Sequence, residues 1–194
     1  MMNLAEYRRT AARLADFLPW AALVGEGVIL NKDGSLQRTA QFRGPDLESS
    51  VAAELVAVAA RLNNAFRRLG SGWAIFVEAQ RQEAATYPDS RFPDPASALL
   101  DAERKADFEE QGSHFISSYF LTFTYLSPAE DAARAETWLY EGRERSGVDP
   151  NEVLRGFIDR TDRVLGLLDG FMPECDWLDD SETLTYLHST ISTN

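Results

Sequence analysis

LADFLPWAALVGEGVILNKDGSLQRTAQFRGPDL, residues 14–47, decides the fold. Within it an apolar run, Gly27-Val28-Ile29-Leu30, meets the turn sequence Asn31-Lys32-Asp33-Gly34. From Ser35 to Arg43 the chain then alternates. Leu36, Arg38, Ala40 and Phe42 fall on one face, and Gln37, Thr39, Gln41 and Arg43 on the other. Period-two alternation is the mark of a strand with two unlike faces. Asp-Gly between two such runs reads as a β-hairpin, because Gly supplies the positive φ that these turns need.

Upstream, Leu4, Tyr7, Ala11, Leu14 and Leu18 recur at helical spacing, and Pro19 stops the run, so a helix is expected over residues 1–18. Downstream, Val51, Leu55, Val58, Leu62, Phe66 and Leu69 step by four and three, one face of a second helix. Ser49 or Ser50 is expected to cap it, Gly70 to end it, and Phe66 to be core. Trp73, Ile75 and Val77 alternate as a strand, 87–95 reads as a loop, and 96–111 as a highly charged helix. FISSYFLTFTYL (115–126) is rich in aromatic and β-branched residues with apolar side chains on both faces, which predicts a central strand. Ser127-Pro128-Ala129-Glu130 and Asp149-Pro150-Asn151-Glu152 each open a helix, with Pro at the first helical position. Val153, Phe157, Thr161, Val164, Leu165 and Leu168 line the second of these, and Gly170 ends it. A short strand over 172–177 and a last helix over 181–191 complete the chain.

From the second hairpin strand onward the order is strand, helix, strand, strand, helix, strand. That is the split βαβ order of ferredoxin-like folds, and right-handed crossovers put the two long helices on one sheet face. The fold class is therefore α+β: an antiparallel ferredoxin-like sheet over 22–178, with an extra N-terminal hairpin strand, an inserted helix and a C-terminal helix outside the motif.

Charge is uneven along the chain. The net charge is −12, yet residues 1–81 carry 10 basic and 8 acidic side chains, whereas 82–194 carry 9 and 23. The acidic part would repel a phosphate backbone or an anionic lipid surface. Trp73, Phe115, Tyr119, Phe120, Phe123 and Tyr125 read as core; a stacking surface for bases is the competing reading, but no basic-aromatic signature accompanies these rings. No stretch reaches the ~18 apolar residues of a membrane-spanning helix. The single cysteine, Cys175, allows no internal disulfide.

Chemistry-bearing patterns are sparse. The chain has two lysines, Lys32 and Lys105, and neither follows Gly or precedes Ser or Thr, so a P-loop cannot be written. His114 and His188 lack partners at metal-ligand spacing. A Cys175–His188 nucleophile pair is conceivable, but a buried structural cysteine is the simpler reading. Asp176, Asp179, Asp180 and Glu182 read as acids gathered at a helix N-terminus, in preference to an acid/base pair. Gly70-Ser71-Gly72 leads from helix to strand, the reverse of a phosphate-binding loop.

Residues 14–47, with the Leu-Pro-Trp step and Asn-Lys-Asp-Gly-Ser turn, resemble the opening of TrbE-type conjugal-transfer ATPases of type IV secretion systems. The resemblance continues through RLNNAFRRLGSGW (61–73), FPDP (92–95), SSY (117–119) and LTYLHST (184–190). It implies an N-terminal docking and assembly domain of a longer protein, with 179–194 beginning the connection to a C-terminal ATPase part. ATP and magnesium are then expected only for the full-length protein, with no cofactor, metal or catalytic residue in this part. The implied location is cytoplasmic, peripheral to the inner membrane. The implied partners are membrane subunits of the secretion system, together with self-association in the full-length protein. Nucleic acid and direct membrane insertion are not expected, and a module handling the transferred DNA is the alternative. Leu4, Tyr7, Leu14 and Leu18 on the first helix are the candidate partner-binding residues.

Overall fold

The computed structural model describes residues 13–84, 86–110, 112, 114–126 and 149–192. In chain order the elements are α1 (Leu14–Phe17), β1 (Trp20–Gly25), β2 (Val28–Asn31), β3 (Leu36–Arg43), α2 (Ala52–Phe66), β4 (Trp73–Glu83) and α3 (Pro95–Glu110). They continue as β5 (Phe115–Tyr125), α4 (Pro150–Asp169), β6 (Glu174–Trp177) and α5 (Asp180–Ser189). All strands among the described residues join one open antiparallel sheet. Its ferredoxin-like part runs β6-β3-β5-β4, and β1-β2 extends it beside β3. The chain is thus α+β with the split βαβ order.

The hairpin forms where the alternation placed it. Val28, Ile29 and Leu30 pair with Arg38, Gln37 and Leu36. Gly34 takes φ +84°, its N–H donates to the Asn31 carbonyl at 3.0 Å, and Asp33 Oδ1 accepts from the Ser35 N–H at 2.9 Å. A left-handed Gly followed by an Asx-held residue closes the loop without a steric penalty.

One sheet face carries the main core. Ala40, Leu121, Phe123 and Cys175 pack against Ala65 of α2 and Leu69 in the turn after it, and against Val164, Leu165 and Leu168 from α4. Val28, Leu36 and Phe157 continue this layer, with the Phe157 ring stacked on Trp73 at 5.5 Å. The α4 stripe is buried as its spacing predicts, and Asp149 caps the helix by accepting from the Asn151 N–H. The second face is covered by α5, whose Tyr186 and Leu187 pack on Ile29, Phe120 and Leu178. The last helix therefore stands outside the split βαβ order, as expected, but seals the sheet from the other side.

Four expectations need correction. A strand not read from the sequence, β1, precedes the hairpin, so the sheet begins at Trp20. The α2 stripe is buried only at its C-terminal end: Leu69 is buried, Phe66 half-buried, and Val51 and Leu55 exposed. Its start is held by Glu54, whose carboxylate accepts from the Val51 N–H at 3.0 Å, and not by Ser49 or Ser50. Phe115 and Tyr119 are also exposed: β4 and β5 pair on past Phe42, the last β3 residue opposite β5, as a two-stranded ribbon that holds Phe115, and Tyr119, opposite Phe42, stands at its root. The ribbon carries α3 at its tip, where Phe108 stacks on His114 at 3.8 Å. Leu4, Tyr7 and the helix expected from Ser127 lie outside the described residues.

Two pairs of substitutions check this packing by urea midpoint. Phe157→Ala deletes a ring that is 2% exposed and is expected to cost ~3–5 kcal/mol, whereas the half-buried Phe66→Ala should cost about 1–2 kcal/mol. Equal losses would mean that α2 lies deeper than described. Gly34→Val meets open space and adds only the left-handed strain, about 1–2 kcal/mol. Gly27→Ala, at φ +64°, would also place its Cβ 2.3 Å from the Leu178 carbonyl oxygen and should cost clearly more.

Candidate functional site

The described residues leave an open surface where β1 meets α5. β1 pairs with β2 along one edge only, with register shifts between Trp20 and Ala22 and between Leu23 and Gly25. Beside it runs a groove of about 390 Å³ lined by Trp20, Leu23, Leu184, Leu187, His188 and Ile191 among others. Leu23, Leu184 and Ile191 are exposed, and Leu187 closes the floor. Two hydrogen bonds from backbone donors fix the walls. The Gly27 N–H donates to Asp180 Oδ1 at 2.8 Å, and the Leu178 N–H donates to the Thr39 carbonyl at 3.1 Å.

The acids before α5 act as a cap. Asp179 Oδ1 accepts from the Glu182 N–H at 2.8 Å, and Glu182 Oε2 accepts from the Asp179 N–H at 3.0 Å. This reciprocal pair satisfies orphan donors of the helix start. Their carboxylates are thereby committed to the helix N-terminus, as the clustering of acids there predicts.

Cys175 and His188 do not meet. Cys175 lies in the core under α2 and α4, and His188 is exposed on α5 across the sheet. Burial pushes the Cys175 thiol up to about 11, with smaller contributions from Asp169 and Asp176. Tyr186 is pushed up to about 12, chiefly by burial, and its hydroxyl donates to Glu78 at 2.8 Å. Tyr186 and Gln80, which donates to Ser189 at 2.9 Å, border a second, smaller hollow of about 210 Å³ on this face. Gly70 and Gly72 both take positive φ and turn the chain from α2 into β4, where a Cβ on Gly72 would meet the Leu126 carbonyl oxygen at 2.5 Å.

Of the candidate partner-binding residues, Leu14 is exposed on the single turn of α1 with Phe17 beside it, and Leu18 is half-buried. Lys32 holds this turn to the sheet: its N–H donates to the Pro19 carbonyl at 2.7 Å and its ammonium to the Ala15 carbonyl. The groove residues escaped sequence reasoning. The signal available was the short apolar run Trp20–Val24 between Pro19 and the Gly25-Glu26-Gly27 turn. Among the described residues, no helix is long and apolar enough to cross a membrane.

Comparison with known proteins places this geometry in context. Residues 27–133 match the family model of the type IV secretion system ATPase VirB4/TrbE, N-terminal domain. A conjugal transfer protein TrbE of Rhizobium radiobacter is 40% identical over 161 residues, which cover 81% of this chain and 20% of that relative. A probable conjugal transfer protein TrbE (first part) of Sinorhizobium fredii (strain NBRC 101917 / NGR234) is 41% identical over 128 residues, 64% of this chain and 86% of the relative. The chain thus spans about a fifth of the first relative and most of the second.

The buried thiol gives a direct check. With its titration raised to about 11, Cys175 holds almost no thiolate near neutral pH. Ellman's reagent should therefore label the native protein far more slowly than the urea-unfolded protein. Equal rates at neutral pH would place Cys175 at the surface.

Proposed function

The chain belongs to the N-terminal-domain family of the type IV secretion system ATPases VirB4/TrbE, and on that premise we propose that it is a non-catalytic docking and assembly domain. In this reading it joins a larger conjugation ATPase to membrane subunits of the secretion system, at the cytoplasmic side of the inner membrane. It also contributes to self-association of the full-length protein. The observation that carries the reading is the match to the N-terminal part of an ATPase family by a chain that spans a fifth of one full relative. The sequence supports it, since neither lysine stands in P-loop context. Nucleotide chemistry then belongs to the remainder of the parent, and this domain supplies surfaces. Exposed Leu14 and Phe17, ahead of the sheet, suit a contact outside the fold.

The test is capture of the system's small membrane subunits, in detergent, by the tagged 194-residue chain and by a version lacking residues 1–17. The shortened protein should keep its circular dichroism spectrum, because Leu14 and Phe17 bury nothing in the core. It should lose capture or self-association, the latter read by light scattering. Unfolding of the shortened protein would make the segment part of the core, and capture of no subunit by the full chain would end the docking reading. Titration with ATP and magnesium should give no binding heat, and a reproducible signal would mean that the domain holds nucleotide.

A further inference from the structure

We propose that the outer edge of β1 and the groove between β1 and α5 take up an extended segment of a partner chain, apolar at alternate residues and with a lysine or arginine beside the β1–β2 turn. The proposal deepens the docking reading and rests on it for the existence of a partner.

Edge chemistry is the first support. Among the described residues no strand pairs with the outer edge of β1. Its sequence, WAALVG, contains neither charge nor proline, the usual devices that keep an edge from pairing. The opposite edge strand, β4, carries Glu78, Arg81 and Glu83. The two register shifts roughen β1 without removing its outward N–H and C=O groups. A strand laid against β1 would turn every second side chain toward α5. There the groove offers Leu23, Leu184, Leu187 and Ile191.

Charge selects the occupant. The bond from Gly27 to Asp180 brings the first turn of α5 to the β1–β2 turn. Exposed Glu26 in that turn and exposed Asp179 and Asp180 at the head of α5 are gathered at that end, while Glu182 lines the smaller hollow. The caps satisfy backbone donors but do not remove the carboxylate charge. At the Trp20 end, among the described residues, Arg13 and Lys32 are balanced by Asp16 and Asp33. The groove is therefore acidic at one end and balanced at the other. A cation in the partner segment gains at the acidic end and sets the strand direction. A second copy of the chain brings its own net charge of −12, which opposes approach.

Fluorescence anisotropy with two labelled synthetic peptides tests this. Both share an alternating valine-threonine run; one ends in a lysine pair and the other in a glutamate pair. The lysine peptide is expected to bind, and the glutamate peptide to bind weaker by about tenfold or more. Leu184→Asp should weaken the lysine peptide by about tenfold with an unchanged melting temperature, since Leu184 is 55% exposed. Amide shifts in NMR spectra should fall on Ala21, Leu23, Leu184 and Ile191. Failure of both peptides to bind, or binding indifferent to Leu184→Asp, overturns the proposal. So does a dimer, seen by light scattering, that Leu184→Asp dissolves, since the occupant is then a second copy. The same variant separates the two readings: membrane subunits still captured by Leu184→Asp would leave docking standing and remove the groove. Peptide binding without capture of any membrane subunit would do the reverse.

Discussion

The structure depends on one strand having more than two neighbours. β3 pairs with β5 from Leu36 to Phe42 along one edge. Its other edge is divided: Leu36, Gln37 and Arg38 bond to β2, and Ala40 to Arg43 bond to β6. The ferredoxin-like sheet and the N-terminal hairpin are thus one sheet only because β3 is long enough to hold both. Thr39 sits at the fork. Its carbonyl accepts from Leu178, the residue leading toward α5, and its hydroxyl meets that of Thr122 at 2.9 Å. Backbone groups stranded at a fork in a buried sheet need such partners, and meeting that need brings the start of α5 onto the second face.

The same alternation that makes β3 a strand places Arg38 in the core face. A buried guanidinium is tolerable only when paired. Asp162 of α4 accepts from Arg38 at 2.7 Å, and the same carboxylate oxygen accepts from the Trp177 indole at 2.8 Å. The Trp177 ring lies 4.1 Å from the guanidinium carbon. One cation therefore fixes α4 and β6 against β3. It does so from the position where β2 ends and β6 begins, so it also closes the seam between the two parts of the sheet.

Most of this architecture was legible in the sequence, because it rests on periodicity. The 153–168 stripe of α4 reflects a surface buried along most of its length, and the two-faced β5 signal reflects the buried stretch from Phe120 to Phe123. Turn chemistry was equally direct at Gly34 and Gly70, both left-handed. The misreadings share a cause. The α2 stripe keeps its period into a part with little cover, and spacing alone cannot say how far a partner layer extends. The rings of Phe115 and Tyr119 read as core for the same reason: a ribbon that outruns its neighbours has the composition of a central strand without the burial. β1 is six residues of largely small apolar side chains, too short for its alternation to stand out. The groove was invisible because it joins β1 to a helix more than 150 residues away, and only the fork at β3 brings them together.

That origin bears on what the groove can do. The acidic turn beside it is demanded by folding, whatever binds. Asp179 and Glu182 cap α5, and Asp180 satisfies a backbone donor at Gly27. Gly27 leaves no room for a Cβ against Leu178, so the β1–β2 turn and the α5 lead-in meet backbone to backbone, and moving them apart would break the bond from Gly27 to Asp180. Both walls of the groove are thus positioned before any partner arrives. Binding to fixed walls avoids much of the ordering entropy that a mobile surface must lose. A segment that matches the edge hydrogen bonds and the acidic end would meet a site already in its bound shape. A segment with acid at that end would meet charge that the fold cannot give up without losing the helix cap.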